Sequence, residues 1–225
     1  MPMPPSLAAV AALLNAAPPL PGAAAQAHMA PGYRLELLGK ARGEGWREAA
    51  VLLLLYERDG AARFALMERP AGEGTHAGQL SLPGGALEPG EDSEACALRE
   101  YREELGLLPG LAAGPLALSP LEVPPSRFLV RPFVAVAAVA PDFEPNPDEV
   151  ACVLEPSLAE LLDSASAGEY EAAWDSKVWR IPYYELRGRR VWGATAMILA
   201  EFAALLSGAG AARGRAGRLR VRGSP

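Results

Sequence analysis

From Ala49 to Tyr56 the chain is a continuous apolar run, AAVLLLLY, the pattern of a strand buried on both faces. Asp59-Gly60 then supplies a hairpin turn into a second strand over Phe64 to Glu68, and a short strand is expected around Gln79 to Leu82. Asp92 or Ser93 can cap a helix that runs to Leu105, where Gly106 stops it. Two strand-like stretches follow, Leu116 to Val123 and Phe128 to Ala140, joined by Pro124-Pro125-Ser126, a loop expected to lie over a substrate. Beyond the turn-rich 141–146 segment come a strand at Glu149 to Leu154 and a short helix at Ser157 to Leu162. Asp175 to Tyr184 and Arg190 to Trp192 form a hairpin through Arg187-Gly188. The last periodic segment, Gly193 to Leu206, is an amphipathic helix that buries Met197, Ile198, Phe202 and Leu205. At the other end, Ser6 caps a helix with Leu7, Val10, Leu13 and Leu14 on its apolar side, and Tyr33 to Leu38 reads as a strand. Hairpins interleaved with helices imply an α/β fold, a mixed sheet covered by helices on two faces. No internal repeat interrupts it.

Three units follow: a helix and Pro/Ala-rich arm over residues 1–32, the main domain over 33–207, and a basic flexible tail over 208–225. The five arginines between Arg213 and Arg222 are read first as a frayed cationic terminus and second as phosphate ligands. Whether the N-terminal helix packs on its own core or on a second subunit, making a homodimer, is open at this level.

Half of the 225 residues are hydrophobic, which argues against global disorder. A net charge of −6 argues against a protein that coats nucleic acid. No run is long enough for a membrane span, and the first charged residue is Arg34, so the basic leader of a secretory signal is missing. Cys96 and Cys152 make neither a zinc spacing nor a disulfide framework; both are expected to be small buried residues in a cytoplasmic protein.

Candidate chemistry concentrates on the helix that ends at Leu105. Glu100, Glu103 and Glu104 fall within roughly a third of its circumference. Like charges at such spacings cost a few tenths of a kcal/mol per pair, so nothing local favours the arrangement. An acidic face solvated beside Arg99 and Arg102 is the ordinary reading. A divalent cation reverses the sign, since carboxylate oxygens are what magnesium and manganese prefer. Glu91, on the preceding loop, either joins the cluster or pairs with Arg99.

The whole pattern decides between them. Gly85, five residues, Glu91, seven residues, Arg99-Glu100, then Glu103-Glu104 and Gly106 resembles the Nudix box, with Tyr101 where an aliphatic residue is commoner. The resemblance implies a Nudix-type α/β/α sandwich with a mixed β-sheet. It implies an enzyme that hydrolyses a nucleoside diphosphate linked to another group, with Mg2+ or Mn2+ as cofactor. Glu100, Glu103 and Glu104 would ligate metal, Arg99 would orient a glutamate, and Gly85 would let the backbone bend close to the site. The general base would be Glu103 or Glu104 through a metal-bound water, or Glu149, where Nudix relatives often carry an extra carboxylate.

Residues 66–85, LMERPAGEGTHAGQLSLPGG, resemble the stretch before the box in Nudix enzymes that cleave coenzyme A. Gly74 and Leu82 depart from it, standing in place of an arginine and an aromatic. Coenzyme A is therefore the expected small-molecule partner, split into 4′-phosphopantetheine and adenosine 3′,5′-bisphosphate. Arg69, His76, Gly84, Gly85, Arg127 and Arg131 are the expected substrate-binding residues, with the three arginines as candidates for the 3′-phosphate. Alternatives are another nucleoside diphosphate derivative (NADH, ADP-ribose or a nucleotide sugar) and a non-catalytic module that binds a nucleotide. Neither nucleic acid nor membrane is an expected partner.

Overall fold

A strand that is apolar on both sides needs cover on both, and the chain provides it. The computed structural model describes residues 4–35, 45–70, 78–174 and 176–217. In chain order these hold helices α1 (Leu7–Asn15), α2 (Gly22–Gln26) and α3 (Gly32–Leu35), then strands β1 (Arg47–Arg58), β2 (Ala61–Phe64), β3 (Leu66–Glu68), β4 (Leu80–Ser81) and β5 (Gly84–Ala86). Helix α4 (Ser93–Leu105) precedes β6 (Leu111–Ala117), β7 (Leu121–Val123), β8 (Phe128–Ala137) and β9 (Cys152–Leu154). Helix α5 (Leu158–Leu162), strands β10 (Ala167–Trp174), β11 (Lys177–Leu186) and β12 (Arg189–Trp192), and α6 (Gly193–Gly217) complete the set.

The main sheet runs β2-β1-β8-β6, with β5 added to β1 and β7 to β8. It is mixed, because β1 lies parallel to β8 while its other pairings are antiparallel. Side chains alternate across a strand, so β1 feeds two cores at once. Ala50, Leu52, Leu54 and Tyr56 pack with Cys96, Ala97, Tyr101 and Leu105 of α4. Ala49, Leu53 and Leu55 pack with Met197, Ile198 and Phe202 of α6 and with Val10 and Leu14 of α1. The result is helix on sheet on helix.

The ends of α4 are fixed by local chemistry. Asp92 accepts from the Glu94 and Ala95 amides at 2.9 and 3.0 Å, an N-cap that contributes about 1 kcal/mol. Gly106 ends the helix at φ 92°, and its amide donates to the Arg102 carbonyl. Tyr101, the odd residue of the box, is fully buried beneath the sheet.

The N-terminal arm is packed rather than loose. Met29 and Ala30 join the α6-side core, and Glu201 of α6 reaches across, wholly buried, to accept from Gly22 N, Ser119 N and Gln26 Nε2.

Four expectations need correction. Tyr33 and Arg34 lie in a helical turn, not a strand, because the Pro31 carbonyl accepts from the Arg34 amide; residues 36–38 lie outside the described residues. Strand β10 was not expected; its short polar-apolar alternation gains a partner only from the long β11. Helix α6 runs past Leu206 to Gly217. Cys96 is buried, but Cys152 is exposed, being on a short edge strand that pairs only with β3. Among the described residues no helix is long and apolar enough to cross a membrane.

Candidate active site

The Gly84-Gly85 pair is where the two halves of the site meet. Strand β5 lies on β1 with Gly84 opposite Val51 and Gly85 opposite Ala50. Gly84 sits at φ 152°, and a β-carbon there would fall 2.2 Å from the Ala50 carbonyl oxygen. At Gly85 a β-carbon would fall 2.4 Å from the Glu100 carboxylate. Only glycine admits both approaches.

On one side of the pair stand the acids of α4. Gly84 N donates to Glu104 Oε2 at 2.7 Å, and Arg69 Nη2 stands 3.8 Å from Oε1. Glu104 is 1% exposed, and burial pushes its carboxyl up to about 8 against the opposing pull of that amide and of Arg69. Burial also raises Glu100. Arg99 organises the rest. Its Nε and Nη2 hold Glu91 at 2.8 and 2.9 Å, while Nη1 bonds Glu100 at 2.9 Å and Glu103 at 2.7 Å. The Arg99 bond draws Glu91 down to about 2, and the three acids hold the guanidinium firmly protonated. Glu91 therefore pairs with Arg99 rather than joining the cluster.

Glu149 approaches from a different element. The Asn146 amide donates to the Glu104 carbonyl at 2.9 Å, and the turn after it presents Glu149, whose charge bears on both Glu100 and Glu104. The side chain is exposed, and Asn146 Nδ2 donates to its Oε1 at 3.3 Å. Among the described residues no three acid, histidine or cysteine side chains stand preassembled around a metal position.

On the other side of the pair is a cavity of about 620 Å³, bordered by Gly84, Gly85 and Arg69. Its walls are mostly apolar and aromatic: Tyr33, Phe128, Tyr170, Trp179 and Trp192, with Ile181 and Ile198. Pro125 and Ser126, of the loop between β7 and β8, border it. Arg127 and Arg131 do not. Arg127 is exposed at φ 54°, and Arg131 makes a two-pronged pair with Glu48 at 3.1 and 3.3 Å. Val130 and Phe128 take the cavity side of β8, so alternation turns Arg131 to the α4 side. His76 and Gly74 lie outside the described residues. Sequence reasoning missed Arg34, Ser81 and the aromatic wall, which come from segments far apart in the chain.

A mixed sheet between helices, with a glycine pair wedged against a helix of glutamates, defines a class of protein, and comparison with known proteins gives its family. The NUDIX domain model matches residues 46–174. The chain belongs to that family. It is 34% identical over 169 residues to Nudix hydrolase 15, mitochondrial, of Arabidopsis thaliana, covering 71% of this chain and 58% of that protein's length. Against an uncharacterized Nudix hydrolase, NudL of Photorhabdus laumondii, it is 32% identical over 158 residues, covering 70% and 83%. A crystal structure of a MutT/nudix family protein from Enterococcus faecalis superposes with a TM-score of 0.51 at 15% identity, covering 78% of this chain and 68% of that one. This last likeness bears on the fold alone.

Proposed function

We propose that this protein is a divalent-metal-dependent hydrolase of nucleoside diphosphate derivatives, with coenzyme A or its derivatives as substrate. One observation carries the reading. The Glu104 carboxylate is buried and gripped by the amide of Gly84, a residue that also lines a large cavity.

The donor set fits Mg2+ or Mn2+. Glu100, Glu103, Glu104 and Glu149 offer oxygen ligands only, and Glu104 carries a desolvation penalty that a nearby cation would relieve. Glu100, Glu103 and Glu104 would hold the ion, with Arg99 keeping Glu91 while yielding its Nη1 bonds. A bound ion would neutralise the diphosphate and make a water more acidic. The chain's own groups supply the rest. Gly84 N fixes Glu104, Arg99 holds Glu100 and Glu103 together until an ion would take them over, and Arg69 stands where it can meet a phosphate oxygen at the cavity's edge. Glu149, exposed and with its charge bearing on Glu100 and Glu104, would take the proton of the attacking water. The water oxygen bonds to phosphorus as the P–O anhydride bond breaks, giving 4′-phosphopantetheine and adenosine 3′,5′-bisphosphate. Phosphoryl chemistry of this kind depends chiefly on positioning and charge, which this arrangement supplies.

Support for coenzyme A comes from the likeness of residues 66–85 to enzymes that cleave it and from an apolar hollow suited to an uncharged arm or a flat base. Incubating purified protein with coenzyme A, NADH and ADP-ribose under magnesium tests it. Coenzyme A should be consumed fastest, and mass spectrometry in oxygen-18 water should find the label on one of the two named products. Equal or faster turnover of NADH or ADP-ribose would retire the substrate and keep the hydrolase.

A further inference from the structure

Among the described residues, two polar groups that border the cavity have no hydrogen-bond partner. Arg34, on α3, precedes the stretch matched by the family model and is 4% exposed, yet its Nη2 has no hydrogen-bond partner among the described residues. Ser81 Oγ, from β4, is also buried, with no partner among the described residues. Both residues border the same cavity. An unsatisfied buried donor costs about 1–3 kcal/mol, more when it is charged, so two in one hollow need a reason. Burial draws the Arg34 guanidinium down to about 10, while the charges of Tyr33 and Glu122 pull the other way. It remains a cation at neutral pH. The hydroxyl and guanidinium together offer donors and one positive charge, which suits an oxyanion.

Their surroundings narrow the ligand. Tyr33, the neighbour of Arg34, meets Trp179 edge-on with ring centroids 6.0 Å apart, and Tyr170 and Trp192 line the same hollow. Aromatic faces of this kind stack a planar base. Arg69, by contrast, stands 3.8 Å from Glu104, beside the acids that would act on the diphosphate. One arginine thus attends the reacting centre, while the other is held within aromatic walls.

We propose that Arg34 and Ser81 bind a phosphate monoester carried on the nucleoside of the substrate, with the base held against the aromatic wall. This rests on the reading of coenzyme A as substrate, whose adenosine bears such a group at the 3′ position. It moves that role from Arg69, Arg127 and Arg131 to a residue that precedes the stretch matched by the family model.

Calorimetric titration of the full chain with adenosine 3′,5′-bisphosphate and with adenosine 5′-monophosphate tests it without relying on turnover. The wild type should bind the bisphosphate about tenfold or more tightly, as a charge-assisted bond to one extra phosphate would give. Arg34→Met should bring the two nucleotides within about twofold of each other while leaving the monophosphate unchanged, since only that phosphate loses its partner. In steady state the same variant should raise KM for coenzyme A at constant kcat and leave dephospho-coenzyme A unaffected. Ser81→Ala, which removes one oxygen and leaves the charge, should lose part of the preference and decides the matter if Arg34→Met does not fold. Equal binding of the two nucleotides by the wild type, or a preference that survives the substitutions, overturns the proposal. Coenzyme A left intact alongside an Arg34-dependent preference would sink the substrate and keep the binding site; rapid hydrolysis without preference would do the reverse.

Discussion

Gly85 and Glu100 are packed so closely that a single methyl group on the glycine would overlap the carboxylate, at 2.4 Å. Gly85 has no left-handed backbone requirement, so its identity is set by this contact and not by φ. Gly85→Ala therefore isolates the position of Glu100. Displacement of a reacting group by about 1 Å can cost about a hundredfold in rate, and a loss of that order is expected. Overpacking costs about 1–3 kcal/mol, so the fold should survive. Turnover measured beside a thermal melt checks both halves, and unchanged turnover would remove Glu100 from the reaction.

Glu104→Gln separates charge from shape. The carboxamide oxygen can still accept from Gly84 N, while the side chain loses the ability to ionise. Most turnover should be lost with no fall in melting temperature, because a desolvated carboxylate is costly to the fold. Near-normal hydrolysis would count against this residue as a metal ligand.

Glu91 gives a pH signature of its own. Its carboxyl is held down at about 2 by Arg99, well below its value in an unfolded chain. A depressed acid lends stability that is complete above the ordinary carboxylate range and lost as pH falls toward about 2. The wild type should consequently lose stability across that acid window more steeply than Glu91→Gln. Parallel denaturant curves from pH 5 downward measure the difference, and identical slopes would show that the clip contributes nothing to folding.

Glu201→Ala tests how the N-terminal arm is held. The substitution strands donors from Gly22, Ser119 and Gln26, and a loss of about 3 kcal/mol is expected for a buried group with charged character. Hydrogen exchange should quicken over residues 22–30 ahead of the sheet. Uniform exchange throughout would mean that the arm and sheet open together.

Where the signal was local, sequence alone sufficed. Asp92 and Gly106 mark the ends of α4, Asp59-Gly60 and Arg187-Gly188 make their hairpins, and the buried side of α6 follows from its periodicity. Each depends on a few neighbouring residues. The substrate side was less legible because it is assembled from α3, β4, β8, β11 and the start of α6, segments that meet only after folding. Arg131 illustrates the difficulty: one step along β8 reverses the face, and no motif records which face is wanted. Arg34 is harder still, since a lone arginine just past a proline-rich arm gives no hint that it will be buried.

The glycine pair has a consequence for how such a molecule diversifies. At Gly84 and Gly85 bare backbone, with no side chain to tilt or swing, lies both beside the acids and along the hollow. Substitutions in the aromatic walls can reshape what is accepted without disturbing the carboxylates a few ångströms away. Taste and chemistry are thus free to drift separately, joined at two glycines.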